Sequence, residues 1–392
     1  MIEFAGVRFK NPFVVASSPL TATIEVLQKA DRAGAAAAST KLTFIKQPFY
    51  GKMRMYNEPR VGSIVCHDRR LDIDEGARLV EQAKARTSLV IFTNITHDSH
   101  DLDGWATLAK AMENAGADFI EANLICPNIH LTAQQLGEQG YGARGEKGGA
   151  VTGQDPDAAR TVTKVLKETV RIPVVMKLTP NVTDITAIAR ACEEGGADAV
   201  CLAGGQLCLP PMDIYNPTAV YPLLEGASMG SLGGPAARLL GYAMVAETAR
   251  RVHIPIVGGG GIQNWHHGVE FMMWGARLIT VCTEIMWRGW DVVGKIIEGM
   301  DHFLTDQNYS SYSDIVGLSL PMLRPAAQLR ALPGAPLVDL NRCNGCGLCT
   351  KPGHCRSITI VNGKAVVEAE TCYGCSICVA MCQHKALAMV YG

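Results

Sequence analysis

Phe119-Ile-Glu-Ala-Asn-Leu-Ile-Cys126-Pro127 opens as an apolar run of about one buried strand's length and ends on Asn123, Cys126 and a proline that cannot continue a ladder. A polar side chain and a thiol therefore stand where a strand stops. In a parallel βα-barrel, that edge is where chemistry is placed. A Gly-rich polar stretch, 128–153, separates this run from the next helical pattern, and its length marks a lid rather than a connector. A free cysteine is also commonly a small buried hydrophobe, so the rest of the chain must choose between the two readings of Cys126.

Working outward, four helix-like segments end in Gly-Ala and run directly into an apolar strand: Gly34-Ala35, Gly116-Ala117, Gly196-Ala197 and Gly275-Ala276. Gly supplies the left-handed position that closes a helix, and the apolar residues after it suit a strand buried on both faces. Two more strands open with Ile-Pro, at Ile172-Pro173 and Ile254-Pro255, where proline is tolerated as a first strand residue. The pattern predicts eight strands, at 12–17, 35–41, 89–94, 118–123, 173–178, 198–203, 254–259 and 277–282. Amphipathic helices are predicted between most of them, at 104–115, 157–170, 183–194, 235–251 and 264–274. This alternation implies an α/β fold of the (β/α)8 TIM-barrel type, with a doubly wound open sheet as the alternative.

In a barrel the strand ends converge. They offer Ser17, Lys41, Asn94, Asn123 with Cys126, Lys177, the Ala203-Gly204-Gly205 turn, Gly258 to Gly261, and Cys282-Thr283. Lys41 and Lys177 would share one pocket, and lysines ending apolar strands are costly unless an anion accompanies them. Gly233-Gly234-Pro235, the Gly258–Gly261 run and Cys282-Thr283 read as a phosphate cradle, because Gly-rich turns ahead of helices present backbone N–H groups. Gly140-Tyr-Gly142-Ala-Arg-Gly145 matches G-x-G-x-x-G but lacks the preceding strand of a dinucleotide site, so it reads as lid flexibility.

Composition sets the bounds. The chain has 392 residues, 48% hydrophobic and 19% charged, enough for a large core and one small extra domain. A net charge of −1 gives no reason for attraction to nucleic acid or an anionic membrane. The N-terminus lacks a signal-peptide pattern, and no apolar run reaches the ~18 residues of a membrane span, so a soluble cytoplasmic protein is expected. Eight of the 14 cysteines fall after residue 340, which suggests metal centres at one end in a reducing compartment rather than a disulfide framework.

Those eight carry the most specific pattern in the chain. Cys343-x2-Cys346-x2-Cys349 is followed by Cys355, and Cys372-x2-Cys375-x2-Cys378-x3-Cys382 repeats the plan. Two such runs describe a two-cluster ferredoxin, in which the fourth cysteine of each run ligates the other cluster. One [4Fe–4S] set is then Cys343, Cys346, Cys349 and Cys382, and the other Cys372, Cys375, Cys378 and Cys355; structural zinc is the alternative. Five residues rather than three separate Cys349 from Cys355, and no proline follows Cys355 or Cys382. The expected domains are a barrel over 1–318, a Pro-rich linker over 319–335 and a ferredoxin-like domain over 336–392.

Taken together, the chain resembles the dihydroorotate dehydrogenase superfamily, and within it the dihydropyrimidine dehydrogenase type. The resemblance rests on Asn11-Pro-Phe with Ala16-Ser17, Thr40-Lys41, Asn123-Leu-Ile-Cys126-Pro127, Gly153-Gln-Asp-Pro156, Lys177-Leu-Thr-Pro-Asn-Val-Thr-Asp184, the Gly259–Ile262 turn, Val281-Cys-Thr283 and the tail. It implies FMN at the top of the barrel. Ala16, Ser17, Lys41, Asn94, Asn123 and Lys177 would be flavin contacts, and Gly234, Gly260, Gly261, Cys282 and Thr283 would hold the phosphate. Cys126 falls on the family's active-site acid or base, while Asn123, Gly204 and Gly205 fall on the substrate side. The resemblance also implies hydride exchange with an activated C=C bond, with electrons delivered through two [4Fe–4S] clusters by a flavoprotein or ferredoxin partner in a homo- or hetero-oligomer. Dihydroorotate oxidation, or an electron-transfer subunit with a structural barrel, are the competing readings. Where the pyrimidine-reading family has Asn-x-Glu, an Asn-Thr pair and a Ser, this chain has Arg69-Arg70-Leu71-Asp72, Gly204-Gly205 and Ile125. The expected substrate is accordingly another cyclic or conjugated carbonyl compound.

Overall fold

The computed structural model describes residues 1–47, 51–126, 149–220 and 230–391. The predicted lid and the Gly140–Gly145 motif lie mostly or wholly outside them. All four Gly-Ala junctions close a helix in one way. After α1 (Ile24–Arg32), Gly34 takes φ +96°, its N–H reaches Asp31 O, and the Ala35 N–H reaches Ala30 O. With α2 as Ile73–Arg86, the same pair of bonds follows α3 (Leu102–Asn114) at Gly116-Ala117. With α4 as Pro156–Thr169, it recurs after α5 (Ile185–Glu194) at Gly196-Ala197. With α6 as Ala237–Ala249, it recurs once more after α7 (Trp265–Met273) at Gly275-Ala276. This is the Schellman closure, which turns the chain from helix to strand with its last carbonyls satisfied.

Eight parallel strands follow the predicted positions: β1 (Phe13–Val15), β2 (Ala37–Ser39), β3 (Val90–Ile95), β4 (Phe119–Leu124), β5 (Val174–Leu178), β6 (Ala199–Leu202), β7 (Ile256–Gly259) and β8 (Leu278–Val281). Each pairs with the next, and β8 pairs with β1, closing a barrel; the open-sheet alternative is excluded. The strands are buried almost throughout, as parallel strands covered on both faces must be. An N-terminal hairpin, Ile2–Phe4 with Val7–Phe9, places Phe4 and Phe9 against Phe92 and Phe119, whose rings stack at 4.3 Å. A short helix, α8 (Thr283–Arg288), and the 16-residue α9 (Asp291–Asp306) follow β8. Over the barrel's C-terminal end, loop strands Arg54–Glu58, Gly62–His67, Gly230–Gly233 and Gln206–Cys208 form an antiparallel sheet.

The chain divides into two compact units, Met1–Met322 and Leu323–Gly392. Residues to 322 stay with the barrel because the Gly317 and Ser319 N–H groups donate to Met272 O and Met273 O. In the second unit, Gly334–Val338 pairs antiparallel with Leu387–Tyr391, and Ile358–Val361 with Lys364–Val367. Its core is small: Cys349, Ile358, Ala365, Cys378 and Leu387. Among the described residues, no helix is long and apolar enough to cross a membrane.

The Gly closures are testable in isolation. A Cβ at Gly116 would meet only Lys84 Cγ, at an unstrained 3.7 Å, so Gly116→Ala carries the conformational penalty of φ +94° alone. The expected loss is about 1–2 kcal/mol, read as a lower urea midpoint with unchanged slope.

Candidate active site

The polar interior of the barrel centres on Glu121, in the middle of β4 and only 4% exposed. Its Oε2 accepts from Ser39 Oγ (β2) at 2.5 Å, from Asn94 Nδ2 (β3), and from Lys177 Nζ (β5) at 3.3 Å. Asn94 Oδ1 in turn accepts from Asn123 Nδ2 at 2.9 Å. Asn123 Oδ1 then accepts the backbone N–H of Ile125 and of Cys126, both at 3.0 Å. The turn that carries the thiol is thus held by a chain of hydrogen bonds reaching back to a buried ion pair. Burial opposes charge on Lys177, but Glu121 more than offsets it and holds the ammonium above its ordinary range.

A second charged group lies beside Cys126. Lys41, just past β2, pairs with Asp68, and Asp68 also receives Arg70, whose Nη1 lies 3.2 Å from Oδ2 and 2.7 Å from the Asp68 carbonyl. Arg70 Nη2 stands 4.0 Å from Cys126 Sγ. Cys126 is buried with Leu42 and Phe44, and its carbonyl accepts the Ala150 N–H. Burial pushes the Lys41 ammonium down, the Arg70 charge adds to this, and Asp68 restores only part, leaving a pKa of about 8. Both lysines expected to await an anion already have a carboxylate from the chain itself.

The glycine turns gather at a cleft lined by Ala16, Gly204, Gly205, Gly234, Gly260, Gly261, Cys282 and Thr283. Here backbone meets backbone. A Cβ on Gly261 would fall 2.5 Å from Gly234 O, and one on Gly234 would fall 2.8 Å from Gly62 Cα. Gly234, Gly260 and Gly261 also hold positive φ (+99°, +101° and +75°), which other residues reach only with strain. A Cβ on Gly204 would fall 1.6 Å from Ile125 Cδ1, so the side chain next to Cys126 fills the space over that glycine. Contact between Ile125 and Gly204 links the cleft to the thiol's turn. Ser17 lies half-buried beside Ala16 but outside the cleft lining.

Sequence reasoning missed Glu121, Asp68 and Arg70. A carboxylate inside an apolar strand was the available signal for Glu121; nothing local marked the other two.

The sequence profile described as dihydroorotate dehydrogenase matches residues 145–304, which hold β5 to β8 of the barrel. The dihydroorotate dehydrogenase B (NAD(+)) catalytic subunit of Pyrococcus furiosus is 32% identical over 322 residues, covering 81% of this chain and 98% of that protein. The chain belongs to the dihydroorotate dehydrogenase family. The NAD-dependent dihydropyrimidine dehydrogenase subunit PreA of Escherichia coli K12 is 27% identical over 366 residues, covering 89% of this chain and 84% of the relative. Membership makes this chain a flavin-dependent oxidoreductase of the CH–CH class, in a family that binds FMN. One point of the cleft suits that cofactor's phosphate: at Gly260 a Cβ would meet nothing nearer than 3.8 Å, so backbone there faces open space.

In the second unit two separate cavities are lined by cysteines. One holds Cys343, Cys346, Cys349 and Cys382, and the other Cys355, Cys372, Cys375 and Cys378. Backbone N–H groups of Ala365, Gly374 and Ala386 donate to the sulfurs of Cys343, Cys372 and Cys382 at 3.2 to 3.4 Å. Among the described residues, no three His, Cys, Asp or Glu side chains are grouped to hold a single metal ion.

The Lys41 proton is held more weakly in the folded chain than in the unfolded one. Between about pH 8 and 10.5 the unfolded state therefore binds more protons, and stability rises with pH. Lys41→Met removes that slope. Relative to the variant, the parent apoprotein should gain about 3 kcal/mol across the window, as read by urea unfolding at each pH.

Proposed function

We propose that this chain is an FMN- and iron–sulfur-dependent oxidoreductase that reduces, or forms, a C=C bond next to a carbonyl, with Cys126 as its proton donor or acceptor. The observation that carries this reading is the hydrogen-bonded line Lys177–Glu121–Asn94–Asn123, which fixes the Cys126 turn at the same end of the barrel as the glycine cleft. A thiol serving only as core packing would not need four buried polar groups to set its backbone.

Gly234, Gly260, Gly261, Cys282 and Thr283 would hold the FMN phosphate, and Ala16, Ser17, Lys41, Asn94, Asn123 and Lys177 would surround the isoalloxazine. When bound, FMN supplies hydride exchange with one substrate carbon. Cys126 gives a proton from Sγ to the neighbouring carbon, or takes one in the reverse direction. Lys177 stays charged because Glu121 accompanies it, so it can meet negative charge on the flavin ring. Asn123, Gly204 and Gly205 would face the substrate. With Ile125 packed over Gly204, that side offers few groups to hydrogen-bond a pyrimidine, which favours another cyclic or conjugated carbonyl compound.

The two four-cysteine cavities support a pair of [4Fe–4S] clusters, with the crossed pairing of a ferredoxin. The spacing of the two four-cysteine runs speaks for clusters rather than zinc. A unit with so small a core also needs such staples to fold. Electrons would enter through these clusters from a flavoprotein or ferredoxin partner in the cytoplasm. Two relatives named as subunits of NAD-dependent enzymes support a partner. Likeness to the Pyrococcus furiosus catalytic subunit carries a second reading, dihydroorotate-type oxidation at the same site.

Protein purified without air should contain one FMN and roughly eight irons per chain, counted by acid extraction; stoichiometric zinc would refute the cluster assignment. Cys126→Ala should keep flavin, iron and reduction by dithionite, yet slow reoxidation of the reduced flavin by substrate ~10²–10⁴-fold in single turnover. If the thiol were only packing, Ala would lower the melting temperature and leave turnover per folded molecule unchanged.

A further inference from the structure

Arg70 follows the loop strand Gly62–His67, and its guanidinium is brought to the buried thiol. Its Nη1 is anchored twice on Asp68, by the carboxylate at 3.2 Å and the carbonyl at 2.7 Å, and its Nη2 points at Cys126 Sγ across 4.0 Å. The Arg70 side chain is 13% exposed and Asp68 11%, so solvent screens this group weakly. Leu42 and Phe44 pack beside the thiol. Among the described residues, the other charges at this corner are Asp68, shared between Arg70 and Lys41, and the mutually paired Glu121 and Lys177 reached through Asn94 and Asn123.

We infer that Arg70 is a catalytic residue, the fixed counter-charge for the Cys126 thiolate. This rests on the reading of Cys126 given above. When Cys126 protonates substrate, the S–H bond breaks, the proton goes to carbon and the electron pair stays on Sγ. A sulfur packed beside Leu42 and Phe44 would bear that charge poorly. The guanidinium is already in place to receive it, needs no rearrangement, and remains charged at every working pH. Asp68 holds Arg70 in place while also pairing with Lys41. In the oxidative direction the same contact keeps the thiolate available as the base.

The test reads the thiol itself and does not depend on turnover. The full chain, with its cofactors, is treated with iodoacetamide across pH, and labelling of the Cys126 peptide is followed by mass spectrometry. Arg70→Met should shift the midpoint of Cys126 labelling upward by roughly one pH unit or more, and slow labelling at neutral pH by about tenfold. Arg70→Lys should fall between, since it restores charge without the fork. Arg70→Gln carries the same test if Met disturbs folding, and the Cys208 peptide in the same digests should not move. An unchanged Cys126 profile in the charge-removing variants overturns the inference, while a collapse of transfer in Cys126→Ala would still uphold the thiol as donor. Conversely, full transfer in Cys126→Ala would refute the donor role whatever the labelling showed.

Discussion

One buried carboxylate sets the order of this site. Glu121 sits inside the barrel where an unpaired charge would cost several kcal/mol, and three other strands supply its partners: Ser39 from β2, Asn94 from β3 and Lys177 from β5. These bonds form only if four neighbouring strands hold one register, because a shift of a single residue would turn every one of these side chains to the opposite face. The constraint then passes outward. Asn94 orients Asn123, and Asn123 accepts two consecutive backbone N–H groups at the turn that carries Cys126. The thiol's place thus follows from strand register, through groups that never touch it.

The other side of the barrel mouth is built on the opposite principle. There the wall is backbone, and the absence of side chains is what lets Gly62, Gly234 and Gly261 approach one another. Backbone N–H groups suit a phosphate without a buried lysine. That division agrees with the lysines being committed elsewhere, Lys41 to Asp68 and Lys177 to Glu121. Burial and pairing shift the two ammonium groups in opposite directions. Lys177 keeps its proton firmly beside Glu121, whereas Lys41 shares its carboxylate with Arg70 and releases its proton near pH 8.

The Ile125–Gly204 contact shows how a change at one strand end depends on another. A side chain at 204 would need the volume Ile125 occupies, and a smaller residue at 125 would leave Gly204 uncovered. The two positions are therefore one feature of the pocket, although they stand 79 positions apart in the chain.

Much of the architecture was legible in the residues alone. Apolar runs marked all eight barrel strands to within about two residues of their ends, and the Gly-Ala pairs marked four helix closures, because both signals are local: burial on two faces, and a positive φ that glycine alone reaches freely. The spacing of the eight tail cysteines likewise anticipated how they divide between two cavities. What the sequence could not show was pairing. Lys41 and Asp68 are 27 positions apart, Arg70 and Cys126 are 56, and Ser39 and Glu121 are 82. No periodicity encodes which buried charge meets which, since only closure of the barrel brings those strand ends together. The candidate residues were thus written in the chain, while their partners, their charge states and the surroundings of the thiol were decided by the tertiary fold.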